Sequence, residues 1–178
     1  MRRIRLGMVG GGEGSFIGAV HRIAARMDNQ FELLAGALSS DVKRAGSSAA
    51  ALGIMADRSY ASFEDMARTE AARDDGIEAV AIVTPNHLHA APAIAFLNAG
   101  IHVICDKPLA YDLKEARDLR RIVKKSGKVF ALTHNYTGYP MVKEARDFAR
   151  KGKLGRILKV VTEYPQGYAV GDIENKND

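Results

Sequence analysis

The sequence predicts an α/β fold: a doubly wound parallel sheet with helices on both faces. Three observations carry the prediction. An apolar run, Ile4, Leu6, Met8 and Val9, stops at Gly10, Gly11 and Gly12, and residues at helical spacing follow, namely Ile17, Val20, Ile23, Ala24 and Met27. Short apolar strands and helical segments then alternate along most of the chain. Finally, 178 residues with 47% hydrophobic side chains can bury a core, and that length holds one domain or one domain and part of another.

The same counts exclude other classes. The single cysteine, Cys105, rules out an internal disulfide and a cysteine-only zinc site, and it suits a reducing compartment. The basic start, Met1-Arg-Arg-Ile-Arg, is followed by glycines rather than by an apolar signal segment, and no run reaches the length of a membrane span. A soluble, cytoplasmic chain is expected. The net charge is +5, yet Lys124, Lys125, Arg150, Lys151 and Lys153 close helical segments, where cations complement the dipole. Without aromatic interleaving or a nucleic-acid motif, the excess points away from nucleic acid and suits a phosphorylated small molecule.

Strand, glycine turn and helix in that order form a dinucleotide signature. Glycine lets the backbone approach a pyrophosphate, and the amides and dipole of the following helix stabilise its charge. The usual place of the third glycine holds Ser15. Gly18 takes that part, with Gly14, Ser15 and Phe16 lengthening the turn before Ile17. Glycine runs also make ordinary turns. What favours the dinucleotide is the position of this one between a strand and a helix at the head of an alternating pattern.

Phe31 to Leu38 reads as the second strand. An acidic residue at its end would accept hydrogen bonds from the adenosine ribose, but Ser39 and Ser40 stand there, followed by Asp41, Lys43 and Arg44. A carboxylate repels a 2′-phosphate, whereas hydroxyls and an arginine tolerate one. Both NAD and NADP therefore stay open, with a tilt toward NADP or dual use. Alternatively Ser40 or Asp41 simply N-caps the helix that runs to about Leu52. Gly53 ends that helix, Ser62-Phe-Glu-Asp65 is a capping box near Met66, and Asp74-Asp-Gly76 is a polar turn. Ile77 to Val83 is a compact apolar strand.

Ligands of such sheets sit at the carboxyl ends of the strands, which directs Thr84, Pro85 and Asn86 to the cleft. A helix follows with Leu88, Ala91 and Ala95 in phase and Gly100 as its terminator. His87 and His89 lack a third ligand, so they read as polar helix-start residues, with His89 a candidate to line the cofactor, and no metal is expected. Ile101 to Cys105 is the next strand and delivers Asp106-Lys107-Pro108 to the same edge. A lysine there can take the hydroxyl proton as hydride leaves carbon; it can equally be an exposed loop lysine before a proline that stops the strand. Pro108 is a candidate for a cis peptide bond.

Asp112 caps a helix ending at Ser126-Gly127, and Lys128 to Thr133 reads as a sixth strand. His134 to Pro140 is a polar, aromatic crossing. In it Asn135 and Tyr136 can present an amide and a ring to a polyol, while Tyr136 and Tyr139 can equally pack a junction. Met141 to Lys151 is a helix, Leu154-Gly155 a turn, and Ile157 to Tyr164 the first strand of a new sheet with an unpaired edge. Gly171 to Asp178 shows no pattern that would bury it.

Taken together, Gly10-Gly-Gly with Gly18 and His21, Thr84-Pro-Asn with His89, and Cys105-Asp-Lys-Pro108 resemble the glucose–fructose oxidoreductase/inositol dehydrogenase family (Gfo/Idh/MocA). The resemblance implies a Rossmann NAD(P)-binding domain at 1–133. It implies that 134–178 is the incomplete beginning of a C-terminal α/β domain for substrate binding and oligomerisation. It makes Lys107 the catalytic lysine, in contact with cofactor and substrate hydroxyl. Gly10, Gly12 and Gly18 fall at the pyrophosphate turn, and Thr84, Pro85 and Asn86 along the cofactor. With the residues read above, the cofactor candidates are Gly10, Gly12, Gly14, Ser15, Phe16, Ile17, Ser39, Ser40, Arg44, Thr84, Pro85, Asn86, His89, Asp106 and Lys107; the substrate candidates are Lys107, Asn135 and Tyr136.

Two positions depart from the family pattern. Asp106 replaces a glutamate, which shortens the reach of the carboxylate, and Ser39 replaces the common ribose-binding acid. The family's Asp-x-x-x-His segment, which supplies a catalytic histidine, does not occur in these residues. The implied activity is hydride transfer between NAD(P) and a sugar or polyol hydroxyl, by a homo-oligomer. A non-catalytic dinucleotide-binding or sensor module and a structural or interaction fragment are the alternatives.

Overall fold

A computed structural model describes residues 2–165 and 167. The chain divides into two compact units, 1–134 and 135–178. In the first, five parallel strands form one sheet: β1 (Ile4–Gly10), β2 (Phe31–Ala37), β3 (Ala79–Val83), β4 (His102–Cys105) and β5 (Phe130–Leu132), in the order β2-β1-β3-β4-β5. Helices α1 (Phe16–Met27), α2 (Val42–Ala51), α3 (Phe63–Ala71), α4 (Ala90–Asn98) and α5 (Leu113–Ser126) connect them. This is the parallel sheet that the alternation predicts and the Rossmann fold that the resemblance implies. One count is corrected: the strand expected as sixth is the fifth, and it is the last strand among the described residues.

The central strand shows why the pattern was readable. β3 lies between β1 and β4, and all five of its side chains are buried. Val80 and Ile82 pack on one face with Met66, Phe96 and Leu119, while Ala79, Ala81 and Val83 pack on the other with Leu6, Met8 and Ile54. A strand covered on both sides reads as a continuous apolar run rather than an alternating one.

β3 begins two residues later than expected. The N–H of Ile77 donates to Glu70 Oε2 at 3.0 Å instead of joining the sheet. Glu70 is itself buried, accepting from Arg58 Nε at 3.0 Å and from the Tyr60 hydroxyl at 2.7 Å, with Arg58 also paired to its second oxygen. Such a fully bonded ion pair locks the α3–β3 corner, because removing one partner would strand the other charge in the interior.

Side-chain caps start four of the helices. Ser15 accepts from the Gly18 N–H, Asp41 from Arg44, Ser62 from Asp65 and Asp112 from Glu115. Of the two residues considered for the second cap, Asp41 makes it. In register, Gly10 pairs with Val83, Ile82 with Cys105, and Cys105 with Leu132. The carboxyl ends of β1, β3, β4 and β5 therefore line up, and the segments that leave them stand side by side: the glycine turn, Thr84, Asp106-Lys107 and Thr133.

The second unit contains a short 3₁₀ turn at Asn135–Gly138 and α6 (Pro140–Arg150), with proline in its first turn. Tyr136 packs edge-on against Tyr139 and Tyr164, with 5.7 Å between ring centroids in each pair, and the Tyr136 and Tyr164 hydroxyls share a hydrogen bond. The strand expected at Ile157 to Tyr164 is not formed. Ile157, Leu158, Val160, Val161 and Tyr164 are each more than half exposed. A strand is stabilised by its neighbours, and none runs beside this segment among the described residues. The expectation for Gly171 to Asp178 lies outside the described residues. No described helix is long and apolar enough to cross a membrane.

Candidate functional site

The turn between β1 and α1 is built by close backbone approach. Gly10 and Gly11 have φ of +76° and +77°, a region that L side chains rarely adopt. Gly18 decides how near the helix comes: a Cβ there would lie 2.4 Å from the Gly11 Cα. This is the work of the third glycine, found in the first turn of the helix. At Gly12 a Cβ would lie 2.8 Å from the Leu38 carbonyl, and the Gly12 N–H donates to that oxygen at 3.2 Å. The Glu13 N–H donates to Ser48 Oγ at 2.9 Å. These two amides hold the turn against β2 and α2. The first-turn amides of α1, at Phe16 and Ile17, have no intrahelical acceptor and remain for an anion. Arg22 donates to the Gly11 carbonyl at 2.6 Å and braces the turn from behind.

A cleft of about 840 Å³ opens over this turn, within the range of small-molecule and cofactor sites. Of the cofactor candidates, Gly10, Gly12, Gly14, Ser15, Ile17, Ser39, Ser40, Arg44, Thr84 and Pro85 line it. Phe16, Asn86, His89, Asp106 and Lys107 do not line this cleft. The Phe16 side chain is 82% exposed, leaving its amide as its possible contribution. Thr84 Oγ1 donates to the Leu88 carbonyl at 2.8 Å, so its hydroxyl shapes the strand end. At the end of β2, Ser39 Oγ accepts from the Asp41 N–H at 3.1 Å and the Asp41 carboxylate is turned into the α2 cap, which leaves Ser40 and Arg44 exposed on the cleft wall.

The sequence reading missed part of the lining: Gly11, Leu38 and the Ala61–Glu64 segment. The capping box at Ser62 was the available signal, since it fixes the start of α3 at the carboxyl side of the sheet.

Lys107 is exposed in the bend after β4, and among the described residues it makes no ion pair. Its peptide bond to Pro108 is cis. The preceding carboxylate is turned away from it: Asp106 Oδ1 accepts from Thr133 Oγ1 at 2.7 Å and lies 3.7 Å from His21 Nε2. Burial lowers the His21 pKa from its ordinary value and outweighs the attraction of Asp106, so at neutral pH the ring is neutral. Burial, with Asp106 adding to it, pushes the Cys105 thiol up to about 12, which makes it unreactive. His89 is 1% exposed, and both of its ring nitrogens face backbone carbonyls, Thr84 O at 2.9 Å and Pro108 O at 2.7 Å. Asn135 and Tyr136, the candidate substrate contacts, lie in the 3₁₀ turn of the second unit. No group of three or more His, Cys, Asp or Glu among the described residues could hold a metal ion.

Residues 4–134 match the family model GFO_IDH_MocA, described as an oxidoreductase family with a NAD-binding Rossmann fold. The chain belongs to this family. An uncharacterized oxidoreductase, YfiI, of Bacillus subtilis (strain 168) is 39% identical over 170 residues, 95% of this chain and 43% of that protein. Levoglucosan dehydrogenase of Pseudarthrobacter phenanthrenivorans is 34% identical over 171 residues, with the same coverages. Crystal structures of an inositol dehydrogenase homolog from Azotobacter vinelandii, one complexed with NAD+ and one with NADH and myo-inositol, are 41% identical with a TM-score of 0.84. They cover 87% of this chain, which covers 40% and 41% of them. The chain thus spans less than half the length of these relatives and carries their NAD-binding domain.

Proposed function

We propose that this chain is the nucleotide-binding portion of a NAD(P)-dependent oxidoreductase that transfers hydride between the nicotinamide and a sugar or polyol hydroxyl. One observation carries the reading: strand register sets the glycine turn and Lys107 on a single carboxyl edge. The close approach at Gly12 and Gly18 leaves no room for side chains where the turn packs, and the first amides of α1 bind the pyrophosphate. Bound nicotinamide supplies the hydride acceptor. Lys107 Nζ would take the substrate O–H proton as the C–H hydride leaves for the nicotinamide, with the carbonyl compound as product. The levoglucosan dehydrogenase and the myo-inositol-bound homolog support the substrate class.

In this reading residues 1–133 form the nucleotide domain, and 134–178 begin a substrate and oligomerisation domain in which Asn135 and Tyr136 meet the polyol. The working protein is a cytoplasmic homo-oligomer. Ser39, Ser40 and Arg44 surround the adenosine ribose, and because the Asp41 carboxylate is held in the α2 cap this end of the cleft accepts a 2′-phosphate beside NAD. A non-catalytic dinucleotide-binding module is the second reading, favoured by the absence of Lys107 from the lining of the cleft over the glycine turn.

Thermal stabilisation on titration with NAD and with NADP tests the proposal, since a ligand at about 100 times its Kd adds about 2.7 kcal/mol to the folded state. Stabilisation by either nucleotide is expected. A melting curve that neither moves would end the dinucleotide reading, and binding without oxidation of any polyol by a chain that also carries the relatives' remaining portion would favour the module.

A further inference from the structure

We propose that His89 is a positioning residue for Lys107, tying the peptide that follows the lysine to the start of α4; the inference rests on the reading of Lys107 as the reacting group. His89 stands at the start of α4, and its side chain makes no cap there. It is instead 1% exposed, with Nδ1 2.7 Å from the Pro108 carbonyl and Nε2 2.9 Å from the Thr84 carbonyl. A carbonyl only accepts, so the ring holds one through the nitrogen that carries its N–H, and the shorter approach puts that N–H on Nδ1, toward Pro108. A fully buried side chain at a helix start that turns back to a loop carbonyl ties that loop to the helix.

The bridge acts where the lysine needs it. On the side before Lys107, the Asp106 N–H donates to the Ile82 carbonyl at 3.0 Å, and the Asp106 carboxylate accepts from Thr133. On the side after it, Pro108 has no N–H to donate, and its carbonyl is held by His89. Lys107 is thus an exposed side chain between two tethered neighbours. A residue so held reaches a reacting atom with less ordering left to do, which is how positioning contributes to rate.

Asparagine and glutamine separate the two contacts, because the amide nitrogen of asparagine falls near Nδ1 of the ring it replaces and that of glutamine near Nε2. The experiment compares His89→Asn, His89→Gln and His89→Ala in this chain, with two readouts. Hydrogen exchange over residues 106–111 without nucleotide reads the tether directly. Labelling of Lys107 by trinitrobenzenesulfonate, mapped by mass spectrometry with and without NADH, reads how well the bound cofactor shields the amine.

His89→Asn, which keeps the Pro108 contact, is expected to stay within about twofold of the parent in both readouts. His89→Gln and His89→Ala lose it, so exchange should accelerate and shielding weaken by about fivefold or more. Equal behaviour of the asparagine and glutamine variants, or a glutamine variant like the parent, would overturn the proposal. Should His89→Ala not fold, the other pair still decides. A parent chain in which NADH leaves Lys107 unshielded would overturn the catalytic reading of the lysine, while the exchange data alone would still decide the tether.

Discussion

The two halves of the carboxyl edge are built by different means. The glycine turn is held by backbone against backbone: Gly18 against Gly11, Gly12 against Leu38. The lysine loop is held by side chains recruited from far along the chain, Thr133 from 27 residues away and His89 from 19. The first half therefore fails when an atom is added, and the second when a partner is removed. That contrast also separates two tasks. A turn that approaches a pyrophosphate needs absent side chains, whereas a loop that presents an amine needs a present one, supported on both sides.

The largest effect is expected where the second half meets the chemistry. In a chain that also carries the remaining portion of its relatives, Lys107→Ala should lower turnover by about 10²–10⁴-fold while nucleotide affinity stays within about tenfold. Steady-state kinetics with a nucleotide titration checks this, and unchanged turnover would take the lysine out of the mechanism. The first half is probed by Gly18→Ala. Its Cβ would meet backbone 2.4 Å away, so the fold should lose about 1–3 kcal/mol as the helix is pushed off the turn, and nucleotide affinity should fall with it. Gly46→Ala sharpens the comparison. Gly46 lies inside α2 with nothing within 4 Å of an added Cβ, so the same substitution should raise stability by roughly 0.5–1 kcal/mol. Melting curves that move in the same direction for both variants would break the argument that Gly18 is there for contact rather than for flexibility.

This difference in construction also decided what the sequence could reveal. A turn made of backbone leaves its mark as glycines close together in the chain, so Gly10, Gly12, Gly14 and Gly18 were readable, and β3 was readable because burial on both faces removes every polar residue from Ala79 to Val83. The tethers of the lysine loop join residues that only the sheet order brings together. Nothing local in His89 shows that its ring turns toward Pro108, and nothing local in Asp106 shows that its carboxylate reaches Thr133. The failed strand at Ile157 to Tyr164 has the opposite cause. Its side chains have strand propensity, but β3 has β1 and β4 beside it, and the later segment has no strand beside it among the described residues. Apolar sequence proposes a strand, and a hydrogen-bonded neighbour makes one.

His21 joins the two halves, since it rises from the helix that follows the glycine turn and faces the carboxylate beside Lys107. It also gives the smallest expected effect. Burial holds its pKa below that of the unfolded chain, against the pull of Asp106, so between the two values the unfolded chain binds more protons than the folded one. Stability then rises with pH across that window and is lost as pH falls below about 6.5, the unfolded histidine value. His21→Gln removes the titrating group, so the variant should lose less melting temperature than the parent between about pH 7.5 and about pH 5.5. The opposite ordering, with the parent holding its stability better in acid, would mean that the Asp106 attraction outweighs burial. His21 would then be a cation clamped to the lysine loop, and the turn and the loop would be coupled by charge as well as by packing.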